Sequence, residues 1–343
     1  MKKVLLFNFY KGILYRGIPI YSDNLATALR KEDCIVKEWI CPKFLHNFPR
    51  LVIDLFFVLS EQIFLPLICC FGGYDKVIYP YNSCSILSAL TNKSLMVIHD
   101  FIPNKKIKER VGLSSLYIII TQRIHALFKR DVAFVSATTY RIGIHISWLK
   151  NCQYFLLPNA FYLLEEKLKE INEIQKTNEG KSCNYIVLIS GNGKNKEFDK
   201  AMQLWQSSKF CNSQHLKVMG LGAHQKWANN IINSLQLENV EVLPVLSDDE
   251  LIVGIKKASL IWVHSTHEGF GRPVIEGRMC GKNVIASNIS AFREHKDSHV
   301  YLYNNKSFAN QYSLACQSDN SECYEVKYHA VLEDQIKKWL IRN

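Results

Sequence analysis

Short, nearly continuous apolar runs recur along the chain at 4–9, 76–79, 95–99, 133–136, 185–190, 216–220, 240–243, 260–264 and 283–287. Runs of this length without polar alternation read as strands buried on both faces, as in a parallel sheet. Between them, 22–31, 197–207, 225–235 and 248–257 carry apolar residues at helical spacing. Strand and helix alternate throughout, which predicts α/β architecture with helices on both faces of each sheet. The run 51–71 is long enough to cross a bilayer, but Asp54, Glu61 and Gln62 interrupt it. Charged groups inside an isolated span are expensive, so the run reads as a buried or surface-embedded helix.

A chain of 343 residues exceeds the usual size of one domain, roughly 100–200 residues. The charged, apolar-poor stretch 161–182, ending in Asn178-Glu179-Gly180, divides the two halves and reads as an interdomain connection. The predicted organisation is a first Rossmann-like domain over 1–160, a second over 183–325, and a last helix over 326–343. The apolar spacing of Ile336, Trp339 and Leu340 would pack that helix back on the first domain. In such sheets ligands sit beyond the carboxyl ends of the strands, so chemistry is sought just after each strand.

Composition narrows the partners. The formal net charge of +11 favours an anionic partner, and no zinc-finger spacing, RNA-binding motif or basic-region heptad points to nucleic acid. The 11 cysteines include no C-x-x-C and no framework of paired spacings, so they read as reduced thiols in a cytoplasmic protein. The opening MKKVLLFNFYKG is too short in its apolar part for a signal peptide and reads as a first buried strand.

The most informative segment is 260–294, LIWVHSTHEGFGRPVIEGRMCGKNVIASNISAFRE. A strand ends at His264, and a glycine turn then leads into a helix whose first turn accepts Pro273. Gly269 and Gly271 allow close backbone approach, and the unpaired amides at the helix start form an anion cradle. Glu268 and Glu276 flank that cradle and can accept hydrogen bonds from sugar hydroxyls. With seven residues between its two glutamates and G-F-G-x-P inside, this segment resembles the signature of glycosyltransferase family 4, retaining enzymes of the GT-B fold.

The resemblance implies two Rossmann-like domains facing across a cleft and a nucleoside-diphosphate sugar, GDP- or UDP-linked, as donor. Glu276 matches the glutamate that binds the ribose, Glu268 the one near the donor sugar's hydroxyls, and Gly269, Phe270, Gly271 and Pro273 the loop that contacts sugar and phosphate. In YIVLISGNGKNKEFDKAMQLW, Lys196 matches the lysine at the donor diphosphate and Lys194 stands where a second cation is common. SLMVIHDFIPNKK resembles the family's H-D-x-x-P segment. His99 would then point into the cleft as a donor to the reacting sugar's surroundings, with Asp100 orienting it. Gly17 matches part of the family's N-terminal glycine loop; Arg16 replaces a glycine there and could contact phosphate. Ser136 and Asn159 are weaker candidates. The sequence departs from the family at Arg272, at Gly277-Arg278-Met279 and at Lys282-Asn283.

The expected reaction is retaining transfer of a sugar to a hydroxyl, with no cofactor, no metal site and a leaving phosphate that accepts the acceptor's proton. The lysine- and arginine-rich stretch 104–130 reads as docking to an anionic membrane. Together with the family it implies a lipid-linked saccharide acceptor in bacterial polysaccharide or O-antigen assembly, at the inner face of the cytoplasmic membrane. The rival functions are a GT-B nucleotide-sugar epimerase or phosphorylase and a non-catalytic nucleotide-sugar or polyanion-binding protein.

Overall fold

The computed structural model describes residues 1–14, 17–101, 112–175, 185–319 and 324–342. They form two compact units, Met1–Tyr162 with Lys327–Asn343, and Leu163–Val326.

The first unit holds one parallel sheet of β1 (Lys3–Phe7), β2 (Ile35–Trp39), β3 (Lys76–Tyr79), β4 (Ser94–Ile98), β5 (Asp131–Phe134) and β6 (Gln153–Leu156), in the order β2-β1-β3-β4-β5-β6. The four inner strands are the predicted apolar runs. The two edge strands were not predicted: β2 (IVKEW) is half exposed and β6 (QYFL) has one face open, so neither presents a continuous apolar run. Helix Tyr328–Ile341 belongs to this unit and buries Ile336, Trp339 and Leu340.

The second unit holds another parallel sheet: β7 (Tyr185–Ile189), β8 (His215–Met219), β9 (Val240–Val242), β10 (Leu260–Val263), β11 (Val284–Ser287) and β12 (Val300–Tyr303). Their order is β12-β11-β10-β7-β8-β9. One apolar cluster lies on each face, around Trp205 and Trp262 on one side and around Val263, Val274 and Phe292 on the other. Much of 161–182 is more than a connection. Tyr162–Gln175 is a helix that packs Leu164, Leu168 and Ile171 into the second of these clusters, its apolar spacing masked in the sequence by the charged face; 176–182 lie outside the described residues.

The run 51–71 is helical as predicted, with a twist. Helix Arg50–Leu59 passes through a π-helical turn, Ser60–Phe64, into helix Leu65–Phe71. Pro66 explains the turn, because it has no amide to give the Gln62 carbonyl and its ring crowds that carbonyl in an α-helix. Glu61 points inward and is fully buried. The Ser83 hydroxyl donates to it at 2.6 Å, the Gln62 amide at 3.2 Å, and the Tyr117 hydroxyl donates as well. Burial outweighs these bonds and pushes the Glu61 carboxyl up to about 7.

Between the unfolded value, about 4.3, and the folded one, the native state therefore keeps a proton that the unfolded chain has shed. The stability this group contributes is complete below about pH 4.3 and is lost as pH rises through 7. Against Glu61→Gln, which does not titrate, the wild type should lose on the order of 3 kcal/mol between pH 4.5 and 7.5. Denaturant unfolding of both proteins across that range measures it, and a pH-independent difference would contradict it.

Candidate functional site

In the second sheet, chain progression reverses between β7 and β10: β7 leads outward to β8 and β9, and β10 leads the other way to β11 and β12. At such a switch point the two following loops part and leave a crevice beyond the strand ends, where α/β domains bind ligands. The loops here are 190–197 and 264–271, the two segments from which the sequence drew its basic and acidic candidates.

A dense set of hydrogen bonds ties these loops together. The Asn195 carbonyl accepts from the Thr266 amide at 2.8 Å and from the Ser265 hydroxyl at 3.0 Å. Its side-chain amide donates back to the His267 carbonyl at 2.8 Å and to Glu268 at 3.3 Å. Lys196 follows directly, in the short helix Lys194–Lys196, and its ammonium meets the Glu268 carboxylate at 2.5 Å. Both side chains are largely shielded, at 19% and 17% exposure. Two ions held at this depth have surrendered much of their hydration, so a ligand bringing its own charge meets groups already desolvated and oriented. Lys194 is exposed and does not join this pair.

Beyond Glu268 the chain makes its tight turn at Gly271, with φ +92°. A Cβ there would lie 2.5 Å from the Phe292 ring, so both the backbone angle and the space demand glycine. Phe270 is buried, and its carbonyl is bonded to His295 Nε2 at 2.6 Å. Helix Arg272–Met279 starts here with Pro273 in its first turn. Glu276 is on this helix, ion-paired to Arg272 at 3.2 Å, so the arginine that departs from the family pattern neutralises the second glutamate.

The other departures are equally accommodated. Gly277 lets the helix close on Val284 and Ile261. Buried Arg278 is matched by Asp297 at 2.9 Å and the Lys282 carbonyl at 3.0 Å. Asn283 ties β11 to the carbonyls of Ala315 and Ser318, at 2.8 Å each.

Three contributors were not visible in the sequence. Asn195 looked like one more polar loop residue, and His295 lies past the recognisable motif. Tyr303, on edge strand β12, accepts from Trp262 Nε1 at 2.9 Å and from Ser287 at 3.3 Å, and donates to His264 Nδ1 at 2.5 Å. Burial lowers His264 to about 4, so it is the neutral acceptor in that bond.

In the first unit, Gly17 caps helix Ile18–Lys31 with φ +76°, and Arg16 lies outside the described residues. Tyr21, one turn into this helix, sets its ring edge-on to His99 at 4.8 Å, so the glycine turn and the histidine share one end of the sheet. His99 Nε2 donates to the Pro80 carbonyl at 2.9 Å, and burial holds the ring down to about 4. The ring is therefore neutral, its proton is committed to Pro80, and Nδ1 can only accept. That corrects the expected donor role. The carbonyl of Pro80 fixes the tautomer expected of Asp100, which is half-buried beside it; Pro103 lies outside the described residues. Ser136 is spent as the cap of helix Ala137–Ile144, bonded to Thr139, and Asn159 is buried. Among the described residues, no group of three His, Cys, Asp or Glu side chains is placed to hold a metal ion.

Comparison with known proteins bears on this arrangement. Residues 169–315 match the model of the family described as glycosyl transferases group 1. An uncharacterised glycosyltransferase of Methanocaldococcus jannaschii is 34% identical over 80 residues, which is 23% of either chain. The aligned part thus spans about a quarter of that relative.

Solved structures align over the whole length. Sucrose-phosphate synthase from Thermosynechococcus elongatus is 14% identical with a TM-score of 0.67, covering 99% of this chain and 95% of its own. Anabaena HepE, solved with UDP and glucose, is 14% identical with a TM-score of 0.62 and 99% coverage of both chains. WaaG, a glycosyltransferase of lipopolysaccharide biosynthesis, is 12% identical with a TM-score of 0.62, covering 99% and 94%. At these identities the likeness establishes the fold, which is GT-B.

Gly271→Ala should lower stability by about 2 kcal/mol, the strain of a side chain at positive φ added to its collision with Phe292. Thermal melts of the two proteins test this, and an unchanged midpoint would contradict the turn geometry.

Proposed function

We propose that the protein is a retaining glycosyltransferase that moves a sugar from a nucleoside-diphosphate donor to a hydroxyl of a lipid-linked saccharide. The observation that carries this reading is the Lys196–Glu268 pair at the switch point, beside a glycine turn that opens a helix. Lys196 and the amides at the start of helix Arg272–Met279 face the diphosphate, where negative charge grows as the donor bond breaks. Glu268, released from Lys196 by the incoming phosphate, accepts from the sugar hydroxyls. Glu276 accepts from the ribose, and Arg272 holds its carboxylate in place.

Neither glutamate serves as a nucleophile in this reading. The bond from C1 to the phosphate oxygen breaks, a bond from C1 to the acceptor oxygen forms on the same face, and the acceptor proton passes to the departing phosphate. His99, neutral, accepts from a sugar hydroxyl, and no metal is required. HepE was solved with UDP, which puts uridine first among the nucleotides to try. The involvement of WaaG in lipopolysaccharide biosynthesis supports bacterial polysaccharide or O-antigen assembly, at the inner face of the cytoplasmic membrane, as the setting.

A calorimetric and thermal-shift panel of UDP, GDP, dTDP and their sugars, without added metal, tests the donor assignment. One nucleotide should bind selectively, with affinity reduced at least tenfold in Glu276→Ala. A folded protein that binds none of them would overturn the glycosyltransferase reading and favour a polyanion-binding protein.

A further inference from the structure

We propose that the first unit docks on an anionic bilayer through the outward face of Arg50–Phe71, with the helix lying in the plane of the interface. This deepens the reading of a lipid-linked acceptor and rests on it for its purpose. It centres the contact on this helix and leaves to the basic stretch 104–130, of which 104–111 lie outside the described residues, only a flanking part.

The helix has two faces of different character. Inward, Ile53, Phe57, Leu65 and Cys69 pack into the core with Phe7, Phe9 and Tyr79. Outward, Leu51, Leu55, Leu59, Ile63, Leu67 and Phe71 are exposed, Leu51 at 72% and Phe71 at 87%. Val52 and Cys70 are exposed as well, and Asp54, paired with Arg50, is the one charged side chain between 51 and 71 that reaches the surface. A series spaced by four drifts by about 40° per step around a straight α-helix. The wider turn at Ser60–Phe64 takes back part of that drift and keeps the series on one side.

This is the one helix among the described residues long and apolar enough to cross a membrane. Of the polar residues that argue against a span, Glu61 and Gln62 are held on its inner side, and Asp54, half-exposed near the helix start, is paired with Arg50 and bonded by the Tyr10 hydroxyl. Glu61 and Gln62 are tied to Ser83 and Tyr117, so the helix cannot leave the sheet without exposing them and opening the core. The geometry therefore suits a helix half-sunk in the headgroup region, its apolar face in contact with acyl chains.

The face continues sideways. Gln62 accepts from the amide of Ile86, which places Leu87 and Leu90 beside it, and Gln62 donates to Tyr117 on helix Leu113–Leu127, whose Leu116 and Ile120 are also exposed. Cations edge this surface. Arg130 is held by the carbonyls of Ala89 and Leu90, Lys93 by that of Tyr74 near the helix end, and exposed Arg123 stands two turns after Leu116 on the same face of its helix. An apolar surface edged by fixed positive charge matches anionic headgroups over acyl chains. A protein partner would require hydrogen-bonding groups across the contact, about one per 100–200 Å², and from Leu55 to Phe71 the outward face offers only the Cys70 thiol.

Flotation with vesicles of phosphatidylglycerol and phosphatidylethanolamine, and with phosphatidylcholine alone, tests the proposal. The wild type should float with the anionic vesicles and at least tenfold less with the neutral ones. The triple variant Leu55→Gln/Leu59→Gln/Ile63→Gln should lose at least tenfold in partitioning while its thermal midpoint holds. Leu314→Gln, an exposed apolar residue of the second unit, should float like the wild type. Arg123→Glu, which leaves the apolar face intact, should weaken flotation in low salt. Absence of flotation overturns the proposal, as does a concentration-dependent dimer that the triple variant abolishes without any vesicle binding. Nucleotide calorimetry on the same samples separates the two readings, since flotation without nucleotide binding leaves the docking surface standing and removes the glycosyltransferase.

Discussion

Strand order in the second sheet reverses between β7 and β10, and the rest of the site depends on how the chain bridges that reversal. Loops at a switch point are pushed apart by their own connectivity, so something must bring their side chains together. Here Asn195 does so, with its carbonyl accepting from Ser265 and Thr266 and its amide donating to His267 and Glu268. The consequence is that Lys196 and Glu268, 72 positions apart, form a shielded ion pair at the mouth of the crevice. Breaking such a pair by removing one partner leaves an uncompensated charge, whereas replacing one partner by a charged ligand does not. The pair is therefore a stable resting state for a site proposed to take an anion.

Beneath the loops, support comes from groups that never approach the crevice. Tyr303 reaches from the edge strand to fix His264, and Ser287 accepts from the Ser265 amide at 3.1 Å, so the end of β10 is held from β11 beside it and from β12 beyond. His295 holds the Phe270 carbonyl while Phe292 fills the space that makes Gly271 obligatory. Preorganisation of this kind lowers the cost of ordering the loop when a ligand arrives.

The inner strands of both sheets were legible because burial on two faces leaves an unbroken apolar run. Edge strands β2, β6 and β12 were not, because one open side admits Lys37, Glu38, Gln153 or a tyrosine into the pattern. Helix Tyr162–Gln175 was hidden for a related reason, its narrow apolar stripe being outnumbered by lysines and glutamates. In the site, glycines, proline and paired glutamates announced themselves through spacing. Asn195, His295 and Tyr303 act through contacts between distant segments, which no local pattern carries. The protonation of His99 was also beyond the sequence, since burial and the Pro80 carbonyl decide it.

In the proposed reaction Lys196 stabilises the departing nucleoside diphosphate. The most direct test of this role is the rate of nucleoside-diphosphate release from the nucleotide sugar that binds best, compared between wild type and Lys196→Ala at matched thermal stability. A fall of about a hundredfold is expected, the usual cost of removing one group that meets charge developing in the transition state. Equal release by the two proteins would contradict it, and would leave the Lys196–Glu268 pair as a structural clasp between two loops.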